Sequence, residues 1–302
     1  MVRNIFKGLG IALVTPFNED GTVDYDSLKR LVEYQLKNGA DFFCILATTG
    51  ETPCLSTEEK LKIKNLVVDL VNGRVPILMG CGGYNTAAVV NELKTGDFKG
   101  IDGILSICPY YNKPSQEGLY QHFKAIAAAT KLPIVLYNVP GRTGVNMSVD
   151  TVKYLAEKYS NIVALKQSYG DMDTITELKI NCPEDFILLS GDDSLTMPMM
   201  ALGVHGVISV ASHIFGKEIK NMIMEFKSGN IENARKIHNA LYPSFRKLFM
   251  APNPIPVKAA LANLNIIEEY VRKPLVLLTD DEKAILNSTI STTKDNLTVL
   301  LK

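Results

Sequence analysis

Asn161-Ile162-Val163-Ala164-Leu165-Lys166-Gln167-Ser168 is a run of four apolar residues, two of them β-branched, that ends abruptly in a lysine and polar residues. So short an apolar run, bounded by polar residues and Gly170, reads as a strand buried on both faces, as strands of parallel sheets are. Lys166 then stands where the strand leaves the core. Lost hydration disfavours the charged form of a lysine at such a place. A neutral amine is a nucleophile whose natural electrophile is a carbonyl, and the product is a Schiff base. Taken by itself, the same lysine reads as one whose stem lies along the strand end while its ammonium reaches water.

The pattern repeats on both sides of this stretch. Apolar runs stand at 8–15, 42–47, 75–79, 103–107 and 133–137 before it, and at 186–190 and 206–210 after it. Helical patterns separate them. Asp24 is placed to cap a helix with Leu28, Leu31, Val32 and Leu36 on one face, ending at Asn38-Gly39. Ser56 and Glu59 have the spacing of a capping box. Further helices are expected from about Thr86, after Pro114 and near Ser148. Strand–helix alternation implies parallel strands with helical crossovers. Eight units in this length fit a (β/α)8 TIM barrel better than an open doubly wound sheet. The open sheet would place a dinucleotide-binding turn after its first strand. Gly80-Cys81-Gly82-Gly83 instead follows the third and lacks the last glycine of that motif. Past Gly229 the strand pattern stops. The expected division is a barrel over 1–229 and a C-terminal three-helix extension over 230–302, with helices through 234–249, 257–264 and from 280 onward. Such a tail is expected to serve packing or oligomerisation.

Composition excludes several classes of function. Of 302 residues 46% are hydrophobic and 21% charged, and Lys+Arg and Asp+Glu both number 32, so no net field favours nucleic acid or an anionic membrane. No run is long enough to span a bilayer, and the start, from Met1 to Gly8, lacks the apolar stretch of a signal peptide. A cytoplasmic protein is expected. The 5 cysteines form no C-x-x-C pair and read as reduced, buried thiols. The 4 histidines, His122, His205, His213 and His238, show no metal-ligand spacing, and no metal site is expected.

Chemistry in such a barrel belongs at the C-terminal ends of the strands. The second strand brings Thr48 and Thr49 there, and the fourth is followed by Tyr110 and Tyr111. The fifth brings Tyr137, with Arg142 close behind, the sixth Lys166, and the seventh Gly191-Asp192-Asp193. A lysine nucleophile needs a group to move protons through its carbinolamine and imine steps, and a phenol such as Tyr137 can do so. Thr48 could relay protons between two phenols, since a hydroxyl both donates and accepts. Arg142 offers a fork matched to a carboxylate, and a solvated loop arginine is its ordinary alternative. Asp192 and Asp193 read as an N-cap and dipole partner for the helix after the seventh strand.

Several stretches resemble the dihydrodipicolinate synthase family of the pyruvate-dependent class I aldolase superfamily. They are Ala12-Leu13-Val14-Thr15-Pro16-Phe17, Thr48-Thr49-Gly50-Glu51, Pro109-Tyr110-Tyr111-Asn112-Lys113-Pro114, Tyr137-Asn138-Val139-Pro140-Gly141-Arg142-Thr143 and Lys166. Ser190-Gly191-Asp192-Asp193, Gly206-Val207-Ile208-Ser209-Val210 and Asn253-Pro254-Ile255-Pro256-Val257-Lys258 complete the likeness, which runs almost end to end. It implies condensation of pyruvate with L-aspartate-4-semialdehyde to 4-hydroxy-tetrahydrodipicolinate, on the route to diaminopimelate and lysine. Lys166 would carry pyruvate as an imine, with Tyr137, Thr48 and Tyr111 as a proton relay and Tyr111 supplied by a neighbouring subunit. Thr49 and the backbone of Ile208 would hold pyruvate, Arg142 would hold the carboxylate of the semialdehyde, and Gly191 would line the substrate site. A homotetramer built as a dimer of dimers is implied, with no metal or organic cofactor. The readings set against it are another pyruvate-imine aldolase or dehydratase acting on a sugar acid, and a non-catalytic barrel that senses a metabolite.

Two departures stand out. Gln167-Ser168-Tyr169 replace the family's usual Glu-Ala-Ser or Glu-Ala-Thr after the lysine. Lys60, Tyr84 and Ala88 occupy places where lysine-inhibited members carry histidine, asparagine and glutamate. Feedback inhibition by lysine is therefore expected to be weak or absent, and activity halved by lysine at or below low millimolar concentration would overturn this.

Overall fold

The computed structural model describes residues 5–301; Met1 to Asn4, on which part of the leader reading rests, and Lys302 lie outside the described residues. The chain runs β1 (Gly8–Ala12), α1 (Tyr25–Lys37), β2 (Phe42–Ile45), α2 (Thr57–Val71), β3 (Ile77–Gly80), α3 (Thr86–Thr95), β4 (Gly103–Ile107) and α4 (Gln116–Ala129). It continues through β5 (Ile134–Asn138), α5 (Pro140–Thr143), α6 (Val149–Lys158), β6 (Ile162–Gln167), α7 (Met172–Asn181), β7 (Ile187–Ser190), α8 (Thr196–Ala201) and β8 (Gly206–Ser209). Four helices follow: α9 (Ser212–Lys227), α10 (Ile231–Lys247), α11 (Ile255–Asn263) and α12 (Asp280–Leu300). The strands pair in order, all parallel, and β8 returns to β1 to close a barrel. This is the (β/α)8 fold that the alternation implied, with helices α10 to α12 beyond it. No described helix is long and apolar enough to cross a membrane.

Local chemistry sets the element ends. Asp24 accepts from the backbone N–H of Asp26 and Ser27 at the start of α1. Ser56 and Glu59 form a reciprocal capping box at α2, and Ser148 caps α6. Where β8 meets β1, Gly8 and Gly206 are direct partners. A Cβ at Gly206 would lie 2.0 Å from the Gly8 carbonyl oxygen, so the seam closes only around glycine. β1 is shorter than its apolar run. Beyond Ala12, Leu13 N still donates to the Cys44 carbonyl at 2.9 Å; then side chains take part, as Val14 N donates to His213 Nε2 at 3.3 Å and Thr15 Oγ1 donates to the Gly50 carbonyl at 2.7 Å.

The pair Asp192–Asp193 divides its work differently from the sequence expectation. Asp192 does cap the turn after β7, accepting from the N–H and hydroxyl of Ser194 at 2.9 Å each. Asp193 does not. It is buried and accepts from the Ser209 hydroxyl, from Val210 N at 3.1 Å and from Ala211 N at 2.9 Å. It thereby fixes the turn after β8, because its side chain points across the barrel end and not along its own helix. Burial pushes its carboxyl up to about 6.

All five cysteines are unbridged; Cys44, Cys81 and Cys108 are buried as expected, while Cys54 and Cys182 are only half-buried. Burial lowers the rings of His122 and His213 from 6.5 to about 4. Between pH 6.5 and 4 the unfolded chain therefore takes up protons that these two native rings refuse, and stability falls with pH by about 3 kcal/mol for each ring. Asp193 acts oppositely, since below about 6 the native carboxyl holds a proton that the unfolded one releases until 3.8; this returns about 3 kcal/mol. The net expectation is a melting temperature that drops steadily from pH 7 to pH 4 and a shallower drop in His213→Gln. Thermal denaturation followed by circular dichroism tests it, and a flat profile contradicts it.

Candidate active site

Lys166 is the inward-facing residue near the end of β6, in register with Tyr137 on β5 and Leu189 on β7. Both Lys166 and Tyr137 are only 6% exposed. The lysine Nζ lies 4.4 Å from the centre of the Tyr137 ring. They share a cavity of about 270 Å³ at the C-terminal end of the barrel, also lined by Thr48, Thr49, Arg142, Gly191 and Ile208. The structure thus brings together seven of the eight residues singled out in the sequence. The eighth, Tyr111, is 90% exposed and stands outside this cavity. Its backbone is left-handed, with φ of 69°.

The strand ends are held by networks that local patterns do not show. Asn138, beside Tyr137 at the end of β5, donates through Nδ2 to Asn146 Oδ1 at 2.7 Å and to Gln167 Oε1 at 3.0 Å. Its own Oδ1 accepts from Met147 N at 3.1 Å. One amide therefore joins the Tyr137 strand, the Lys166 strand and the loop carrying Arg142. That loop includes the short helix α5, entered through Pro140 at its first turn and closed by Gly144 in the left-handed conformation. The departure at Gln167 falls on this hub, where its Nε2 is buried without a partner. Gly191 supplies space: a Cβ there would lie 1.8 Å from Ser168 Oγ and 3.0 Å from Lys166 Cε.

Thr48 also lines an adjoining cleft with Tyr137, Tyr110, Lys60 and Cys81. The Thr48 hydroxyl therefore borders two openings, one toward Lys166 and one toward the loop of Tyr110 and Tyr111. Tyr110 packs edge-on to Tyr84, with centroids 5.3 Å apart. Cys44, on the strand leading to Thr48, is buried and pushed up to about 11. That thiol stays protonated at neutral pH and leaves the nucleophilic role to the lysine.

The sequence reading missed the part played by the C-terminal helices. Phe245, Arg246, Phe249 and Asn253 all lie on the cavity wall, so the tail serves the site as well as packing. Asn253 Nδ2 donates to Thr49 Oγ1 at 2.9 Å, and both residues are buried. With an acceptor position of that hydroxyl filled, its proton is free to donate to a carboxylate in the cavity. The signal available in the sequence was the stretch Asn253-Pro254-Ile255-Pro256-Val257-Lys258, which periodicity alone leaves unexplained. Ser168 also went unassigned; it lines the cavity, and its hydroxyl is buried with no hydrogen-bond partner among the described residues.

A closed parallel barrel with a buried lysine and a phenol sharing one cavity is the arrangement of a Schiff-base lyase of the class I aldolase type. The profile of the Dihydrodipicolinate synthetase family matches residues 5–293, and the chain belongs to that family. The 4-hydroxy-tetrahydrodipicolinate synthase of Phocaeicola vulgatus is 50% identical over 291 residues, covering 95% of this chain and 98% of that one. The synthase structure from Methylacidiphilum fumariolicum SolV superposes with a TM-score of 0.94 at 42% identity, covering 98% of both chains. A monomeric dihydrodipicolinate synthase variant superposes with a TM-score of 0.93 at 39% identity, covering 96% of this chain and 97% of that one.

Proposed function

We propose that this chain is a 4-hydroxy-tetrahydrodipicolinate synthase, a lyase that condenses pyruvate with L-aspartate-4-semialdehyde on the diaminopimelate and lysine route. The observation that carries this reading is the Lys166 amine 4.4 Å from the Tyr137 ring inside a closed-barrel cavity that also presents Arg142. Lys166 Nζ adds to the ketone carbon of pyruvate, and the carbinolamine loses water to give the imine. Tyr137 passes the protons these steps require, with Thr48 beside it. Thr49, oriented by Asn253, and the backbone at Ile208 receive the pyruvate carboxylate. Loss of a methyl proton turns the imine into an enamine, whose carbon attacks the aldehyde and makes the new carbon–carbon bond. The amine of the semialdehyde then displaces Lys166 Nζ from the imine carbon, which closes the six-membered ring and frees the lysine. No step needs an oxidant, a reductant or a cofactor.

On this reading the barrel over 1–229 carries the chemistry and 230–302 completes the wall of the site. The protein acts in the cytoplasm as a homotetramer, a dimer of dimers. The exposure of Tyr111 supports the assembly, since a phenol that stands outside its own cavity is free to enter a neighbour's. Tyr111→Phe is then expected to lower kcat by about two orders of magnitude, the scale of a lost proton-transfer group. Mixing it with Lys166→Ala and allowing subunits to exchange restores part of the activity, because one hybrid site regains both groups. Full activity of Tyr111→Phe alone contradicts this.

The central experiment is borohydride reduction in the presence of pyruvate, with intact mass and peptide mapping. One pyruvate-sized adduct on Lys166, absent from Lys166→Ala, is expected, followed by consumption of aspartate semialdehyde in preference to neutral or sugar-derived aldehydes. An adduct with a preference for sugar-derived aldehydes points to the sugar-acid enzymes. Folded protein that forms no adduct leaves a non-catalytic barrel.

A further inference from the structure

The proposed condensation brings two carboxylates and one amino group into a single cavity, because pyruvate carries one carboxylate and the semialdehyde carries the other together with its amine. Beside Lys166 and Tyr137, the ionisable side chains on the cavity wall are Arg142, Arg246 and Asp192. Thr49 and the backbone at Ile208 already receive the pyruvate carboxylate on the reading above, so both guanidinium groups of the wall are left for the second substrate. Arg142 accounts for one guanidinium. Arg246 is the other, and it comes from the C-terminal helices and not from the barrel.

Its placement is fixed from behind. Arg246 sits in the last turn of α10, between Phe245 and Leu248, both buried. Two residues earlier, the Ser244 hydroxyl donates to Thr293 Oγ1 on α12 at 2.9 Å. The backbone that carries Arg246 is thus clamped, while the side chain itself is exposed and forms no ion pair with a carboxylate among the described residues. Asp192, the acid nearest in the wall, already uses Oδ1 to hold the N–H and hydroxyl of Ser194. An arginine on a clamped helix end, facing a cavity and lacking an acidic partner in the protein, is placed for a ligand carboxylate.

We propose that Arg246 is a specificity-determining residue that binds the carboxylate of the incoming aldehyde together with Arg142. The proposal rests on the pyruvate–semialdehyde reading above and goes beyond it in naming the residue, on the tail, that selects an anionic acceptor. A carboxylate has lone-pair positions for two guanidinium groups, so two arginines on one cavity wall can share it. Pyruvate, held deeper by Lys166, Thr49 and Ile208, is left untouched by Arg246.

Steady-state kinetics of wild type, Arg246→Ala and Arg246→Lys separate these roles. Arg246→Ala is expected to raise KM for aspartate semialdehyde about tenfold or more, the scale of a lost charged hydrogen bond. Its KM for pyruvate and the yield of the borohydride-trapped pyruvate adduct stay unchanged. Arg246→Lys, which keeps the charge without the fork, recovers part of the loss. The preference for the semialdehyde over an aldehyde of similar size lacking a carboxylate shrinks in Arg246→Ala, which a merely structural role would not produce. An unchanged KM for semialdehyde in Arg246→Ala overturns the proposal, as does an equal rise in KM for both substrates. Wild-type protein that traps pyruvate but does not condense it with the semialdehyde removes the underlying reading, and this one with it.

Discussion

The site depends on one buried ion pair. Glu51 follows Thr48-Thr49-Gly50 and takes a left-handed backbone conformation, with φ of 52°. Its Oε1 accepts from Lys258 Nζ at 2.6 Å, and its Oε2 accepts from Arg272 N at 2.9 Å. Lys258 also donates to the Tyr270 carbonyl at 2.8 Å and lies 4.1 Å from the centre of the Phe17 ring. Both charged side chains are almost wholly out of water. Burial alone pulls the lysine down from its ordinary value, and the adjacent glutamate opposes it. Two such charges are tolerated in a core only where every donor and acceptor is matched, and removing one partner typically costs about 3–5 kcal/mol. The pair joins the loop after β2 to α11, which carries Lys258. It holds Thr48 and Thr49 on one side and Asn253 on the other, which is the contact that aims the Thr49 hydroxyl into the cavity.

A second layer of the same joint lies nearer the surface. The Arg272 guanidinium reaches Glu59 Oε2 at 2.8 Å, the Cys54 carbonyl at 2.7 Å and the Gly21 carbonyl at 2.8 Å. Hydrogen bonding to Arg272 holds the Glu59 carboxyl down at about 2. Glu59 is also the capping-box residue of α2. The helix start, the β2 loop and the tail therefore share one connected set of charges. Rigid strands alone would not place Thr49, since it leaves the barrel on a single turn of 3-10 helix.

The fold was legible because burial on both faces of a parallel strand writes itself locally, as a short apolar run between breakers. That held for β6 and for the other seven strands. It held for Asp24, Ser56 and Ser148, whose caps depend on residues two or three positions away. Most of the site was legible too, because Thr48, Tyr137 and Lys166 stand at strand ends and the barrel brings all strand ends together. What stayed hidden has partners far along the chain. Asn253 meets Thr49 across 204 residues. Asp193 turns from its own helix to the residues after β8, 16 to 18 positions on. The tail read as packing because helical periodicity reports which face is buried, not that Phe245, Arg246 and Phe249 lie over the mouth of the barrel. The four-residue α5 carries no periodicity at all.

These two sources of the site match two different demands of the chemistry. On the proposed reading, imine formation requires Lys166 and Tyr137 to keep one geometry through several proton transfers, and neighbouring parallel strands in fixed register provide it. Recognition of the second substrate requires groups around an opening that must admit it after the imine has formed. On that reading those groups come from the Arg142 loop, held by Asn138, and from the wall built by α10 and the turn before α11. Both supports include polar side-chain contacts, Asn138 with Asn146 and Gln167 and Ser244 with Thr293, which fix direction as well as position. Dividing the site between the strand ends and the joint at Glu51 and Lys258 lets the reacting carbon stay fixed while the acceptor comes and goes.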